Sequence, residues 1–90
     1  PDVLLRVEGD SMIGAGIFDR DLIAVELRAS AESGEIVIAR LDDEITVKRL
    51  RRRGPRIELI AENPAYPPVE VATASEFAIE GVVLGVIRRY

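Results

Sequence analysis

Apolar residues in this chain arrive in short runs, and each run is closed by a turn signal before a helix of ordinary length could form. The runs recur roughly every eight to twelve residues, the spacing of an all-β sandwich or barrel. Residues 3–7 read as a first strand, ended by Glu8-Gly9-Asp10. Residues 11–16 have room for one helical turn with Asp10 or Ser11 as its N-cap, and Gly14 and Gly16 keep it short. Asp19-Arg20-Asp21 turns into a strand at 22–26, and the polar stretch 30–34 leads into another at 35–40. Leu41-Asp42-Asp43-Glu44 reverses the chain so that 45–50 pairs back as a hairpin, and 51–55 reverses it again into 56–61, which makes a meander. Pro64, Pro67 and Pro68 cannot donate to a ladder, so a strand at 69–71 belongs at an edge. Residues 77–88 are the longest strand candidate, and 81–88, apolar on both sides, read as a central core strand. The expected architecture is mainly β, a small barrel-type domain of short antiparallel strands with at most one short helical turn.

Ninety residues make a single domain spanning 1–90. Its aliphatic composition, with aromatics at only 4%, is globular rather than disordered or fibrous. No apolar run approaches the ~20 residues that cross a bilayer, and the first residues lack a signal-peptide pattern, so the expectation is a soluble, cytoplasmic protein with no membrane contact. The absence of cysteine fits a reducing compartment. A net charge of −4 argues against a grip on phosphates by this domain, so any DNA role would sit on another segment.

With no histidine and no cysteine, every Ser-His and Cys-His arrangement is excluded, along with nearly all zinc sites. Lys48 is the only lysine among twelve basic side chains, the rest being arginines. Arginine cannot give up its proton in a protein, whereas a desolvated lysine can and can then act as a base. Serine activated by neutral lysine is a known variant of serine-nucleophile chemistry, and Gly9-Asp10-Ser11-Met12 offers the serine. Each residue also has a plainer reading. Ser11 can be a helix cap without chemistry, and Lys48 a surface residue left by an arginine-biased composition. In the strand 45–50, alternation puts Lys48 on the face of Thr46 and Leu50, which permits partial burial without establishing it.

Read together, the segments Val7-Glu8-Gly9-Asp10-Ser11-Met12, Gly16-Ile17-Phe18-Asp19-Arg20-Asp21-Leu22-Ile23-Ala24-Val25, Gly34-Glu35-Ile36-Val37-Ile38-Ala39-Arg40 and Glu44-Ile45-Thr46-Val47-Lys48-Arg49-Leu50 resemble, in order and spacing, the LexA-type self-cleaving peptidase domain. Ala61-Glu62-Asn63-Pro64 and Ile79-Glu80-Gly81-Val82-Val83-Leu84-Gly85-Val86-Ile87-Arg88 continue the match, which covers nearly the whole chain. The resemblance implies a catalytic dyad of Ser11 as nucleophile and Lys48 as general base and acid, with no cofactor and no metal. Bringing a lysine from its ordinary value of about 10.4 to near neutrality costs its ammonium about 4 kcal/mol, supplied by burial. The main-chain N–H groups of Ser11 and Asp10 are the simplest oxyanion-hole donors. The family cuts an alanine-glycine bond in a linker upstream of its serine, under stimulation by the RecA filament on single-stranded DNA, and binds operator DNA through an N-terminal domain. Neither that linker nor that domain is expected within this chain. Its C-terminal strand pairs symmetrically between protomers, which places Val83, Leu84, Gly85, Val86 and Ile87 at a homodimer interface. Asp10 stands where many LexA proteins carry methionine, a feature shared with UmuD-like translesion-polymerase accessory proteins and phage repressors, whereas Arg40-Leu41-Asp42-Asp43-Glu44 is closer to LexA.

Arg49, Arg51, Arg52, Arg53 and Arg56 cluster around a hairpin turn and read as a solvated turn, or more sharply as a contact surface for RecA or DNA. Phe18, Tyr66, Phe77 and Tyr90 are too scattered for a stacking platform. Asp42-Asp43-Glu44 is the one place to look for a cation. Two other readings stay open: a signal peptidase, which shares the serine and lysine motifs but carries a membrane anchor and a longer chain, and a dimerisation module in which Ser11 and Lys48 are structural only.

Overall fold

The computed structural model describes residues 1–88. Seven strands form one antiparallel sheet in the order β1-β2-β7-β3-β4-β5-β6. In chain order they are β1 (Val3–Arg6), β2 (Leu22–Leu27), β3 (Ile36–Leu41), β4 (Glu44–Arg53), β5 (Arg56–Ile60), β6 (Val69–Glu70) and β7 (Phe77–Ile87). Strands β3 to β5 are the expected meander, and β6, which the sheet adds beyond β5, is the expected edge. The β3–β4 turn is closed by Asp42 at φ 54° and the β4–β5 turn by Gly54 at φ 57°, left-handed conformations that aspartate tolerates and glycine adopts freely. Tight turns let β4 pair with both neighbours, and it runs longer than the expected 45–50.

Strand β7 is central, paired to β2 over its second half and to β3 over its first. Two register shifts bend it: Ile38 faces Gly81 while Ala39 faces Ile79, and Ala24 faces Gly85 while Val25 faces Val83. Glu80 and Leu84 are thereby the extra residues of two bulges. Because of the first, Ile79 and Val82 both join the cluster of Val37, Ala39, Leu50 and Leu59, which strict alternation would forbid. A second cluster, on the other face, gathers Val7, Met12, Ile17, Ile23, Val25 and Ile38. Gly81 pairs with Leu27 where β7 meets the end of β2, and a Cβ there would lie 2.6 Å from Val25 Cγ1 and 2.9 Å from Glu26 O.

The helical turn is a 3₁₀ segment of three residues, Ile13–Ala15, with Met12 at its N-cap and no side-chain cap bond. The expected caps, Asp10 and Ser11, lie two residues and one residue too early, because buried Met12 fixes where the turn can begin. Gly16, at φ 79°, ends it. Strand β7 stops at Ile87 rather than at 88; Tyr90 falls outside the described residues. Among the described residues, no helix is long and apolar enough to cross a membrane.

Candidate active site

The serine loop is set by what surrounds it. After β1, the Val7 N–H donates to Asp21 O at 2.8 Å and the Arg20 N–H to Val7 O at 2.8 Å. Gly9, at φ 91°, donates its N–H to Asp19 Oδ1 at 2.8 Å. Met12, 2% exposed, anchors the far side of the loop in the second cluster. The Gly14 N–H then donates to Glu62 O at 2.7 Å, and the approach is so close that a Cβ on Gly14 would lie 2.7 Å from that oxygen. Ser11 is thus held between a strand end and a buried methionine.

Strand β4 delivers Lys48, whose register partner is Val37. Its Nζ lies 3.1 Å from Ser11 Oγ, 2.6 Å from Thr46 Oγ1 and 3.2 Å from Val47 O. Partial burial pushes the Lys48 pKa down from its ordinary value, and no other cause contributes. An ammonium can donate to all three oxygens. A neutral amine has two N–H groups for Thr46 and Val47 and a lone pair left for the Ser11 hydroxyl. Sequence reading missed Thr46, whose position two residues before Lys48 on the same strand face was the available signal.

Ser11 and Lys48 lie in a cleft of about 370 Å³, walled by Leu5 to Glu8 on one side and Ile45 to Lys48 on the other, with Ile23 and Ile38 beneath. Strand β1 is one of the two outer strands of the sheet, and β4 gains its β5 partner only from Arg49 onward. Both walls therefore offer free backbone edges to an extended peptide.

Asp10 is tied to the 61–68 loop: Asn63 Nδ2 donates to Asp10 O at 2.9 Å, and the Tyr66 hydroxyl donates to Asp10 Oδ1. The nearby carboxylate raises the Tyr66 pKa. Neither of these partners is predictable from spacing, since they lie more than fifty residues from Asp10. Val83 is half-buried, whereas Leu84, Val86 and Ile87 are exposed. Past Val82, β7 has no β3 partner, so 83–87 leave one backbone edge open.

The arginine cluster is largely neutralised. Arg49 pairs with Glu62, Arg51 with Glu58 at 3.0 Å and Arg56 with Glu70 at 3.5 Å, while Arg52 donates to Ala31 O. Asp42 caps the Glu76 N–H instead of facing a cation, and no group of carboxylates among the described residues is arranged to hold a metal. Phe18 is exposed beneath the Arg88 guanidinium, 5.0 Å from its ring centre. Phe77 packs on the first cluster and Tyr66 binds Asp10. Asp21, only 8% exposed, is held by Arg88 and by the Phe18 N–H, which lower its pKa to about 2.

The Peptidase S24-like family model matches residues 1–84. The chain is 56% identical over 88 residues to the LexA repressor of Bordetella pertussis, covering 98% of this chain and 41% of that protein. It is 58% identical over 89 residues to the LexA repressor of Paraburkholderia phytofirmans, with 98% and 41% covered. To LexA repressor 2 of Pseudomonas putida it is 53% identical over 89 residues, with 99% and 44% covered. The chain spans about two fifths of the length of these relatives. With a family model matched along nearly its whole length and relatives sharing more than half its residues, the chain belongs to the Peptidase S24-like family.

Proposed function

We propose that this chain is the self-cleaving serine peptidase domain of a LexA-type repressor of the DNA-damage response. The observation that carries the reading is the 3.1 Å approach of Lys48 Nζ to Ser11 Oγ in an open-edged cleft. Neutral Lys48 takes the Ser11 proton as Oγ attacks the carbonyl of an alanine-glycine bond, and the oxyanion is met by the N–H groups of Ser11 and Asp10. Collapse of the tetrahedral adduct breaks the C–N bond, and Lys48 returns the proton to the leaving amine. Water, activated in turn by Lys48, hydrolyses the acyl-serine. The open edge and exposed side chains of 83–87 support a symmetric strand pair between two protomers. Operator DNA and the RecA filament are partners of the whole repressor, which acts in the cytoplasm. The charge of −4 favours a DNA-binding surface outside this domain.

The test is cleavage in trans of a full-length LexA-type protein whose own serine is replaced, with its alanine-glycine linker intact, from about pH 7 to about pH 10. Cutting should rise with pH as Lys48 loses its proton and should disappear in Lys48→Arg, which keeps the charge but cannot release it. Undiminished cutting by Lys48→Arg would remove lysine from the mechanism. A folded but inert parent chain would favour the dimerisation module.

A further inference from the structure

The peptide unit that carries the Ser11 N–H is the one whose carbonyl belongs to Asp10. A trans peptide is planar, with C=O and N–H pointing in opposite directions, so fixing the oxygen fixes the direction of the hydrogen. That oxygen accepts a 2.9 Å hydrogen bond from Asn63 Nδ2. Asn63 is itself tied down, because its Oδ1 accepts the Ala65 N–H at 2.9 Å and its main-chain oxygen accepts the Tyr66 N–H at 3.0 Å. Tyr66 makes a second hold on the same residue through Asp10 Oδ1. The preceding residue, Glu62, takes the Gly14 N–H on the other side of Ser11. Segment 62–66 therefore touches the serine loop both before and after the nucleophile.

We propose that Asn63 is a positioning residue for the oxyanion hole: by gripping the Asp10 oxygen it aims the Ser11 N–H at the developing oxyanion, and Tyr66 stops that peptide from rotating. The proposal rests on the Ser11–Lys48 reading above. A hydrogen bond into the C=O also polarises the N–H at the other end of the same peptide, which strengthens it as a donor. Nothing in this device touches Lys48, so it acts on stabilisation of the oxyanion and not on activation of the nucleophile.

A fluorophosphonate ester separates the two. Ser11 Oγ forms a bond to phosphorus, the P–F bond breaks with fluoride leaving, the hydroxyl proton passes to Lys48, and the phosphoryl oxygen occupies the oxyanion position. Labelling rates of the 90-residue chain against pH give a plateau and a midpoint, the latter set by Lys48. In Asn63→Ala the plateau should fall about tenfold to a hundredfold with the midpoint unmoved, and in Tyr66→Phe it should fall by a smaller factor, again at constant midpoint. A folded Asn63→Ala whose plateau stays within about twofold of the parent overturns the proposal, as does a midpoint that moves back toward the ordinary lysine value together with the plateau. Should Asn63→Ala not fold, Tyr66→Phe decides, an unchanged plateau counting against the proposal. Parent labelling that Lys48→Met leaves unaltered would sink the Ser–Lys reading and the proposal with it. Lysine-dependent parent labelling with unaffected Asn63→Ala and Tyr66→Phe variants would sink the proposal alone.

Discussion

Lys48 lies within hydrogen-bonding reach of three oxygens, and among the described residues no carboxylate forms an ion pair with it. Burial alone lowers its pKa, and a lowered lysine pKa means that the unfolded chain binds the proton more tightly than the folded one. Stability therefore rises with pH through the window from the folded pKa up to the ordinary value of 10.5. Below that window the folded state carries the full cost of a half-buried ammonium. Lys48→Met should accordingly raise the thermal midpoint at neutral pH, and its advantage should shrink as pH climbs toward the ordinary lysine value. A pH series of calorimetric midpoints checks this, and an advantage that is constant with pH would mean that burial of the charge is not its source. The choice of lysine over arginine was legible in the sequence, because one residue type departs from an otherwise uniform usage. Thr46 and Val47 as its oxygen partners were not, since a side chain's reach along its own strand depends on rotamers that a pattern does not encode.

Elements were the most legible scale. Every strand segment read from apolar runs and turn residues is present, with ends moved by a few residues where pairing, not propensity, sets them. The helical turn was correctly short but wrongly capped, since a buried Met12 outweighed the polar caps beside it. Two glycines carry close contacts between elements: Gly81 on β7 against β2, and Gly14 against Glu62. Alanine at either position forces backbone or packed side chains apart and should cost roughly 1–3 kcal/mol, a fall of several degrees in thermal midpoint for a domain of this size. The two should differ in function. At temperatures where both variants are folded, Gly14→Ala should also slow cleavage because it pushes the serine loop off Glu62, whereas Gly81→Ala should cut at close to the parent rate. Equal cleavage rates in the two would show that the Glu62 contact does not set the position of Ser11.

At the scale of the whole molecule, β7 is both the spine of the sheet and the source of one of its open edges. Its first half is enclosed by β2 and β3, and its second half is paired on one side only. Leu84 is 56% exposed, so replacing it should disturb a partner more than the monomer. Leu84→Lys should weaken self-association about tenfold or more in sedimentation equilibrium, with an unchanged far-ultraviolet spectrum; a variant that associates as tightly as the parent would exclude this edge as the dimer surface. The sequence by itself determined the strand inventory, the meander, the exclusion of histidine and cysteine chemistry, and the pairing of Ser11 with Lys48 as residues worth bringing together. All but the last follow from local periodicity, turn chemistry and composition, which short windows of sequence carry; the Ser11–Lys48 pairing is what the resemblance of the segments, read together, implies. Only the tertiary structure decided that the two meet at 3.1 Å, that bulges at Glu80 and Leu84 redirect β7, and that Asn63 and Tyr66 return from more than fifty residues away to hold Asp10. The physical reason is that such contacts depend on sheet register and loop closure, where a shift of one residue reverses which face a side chain occupies.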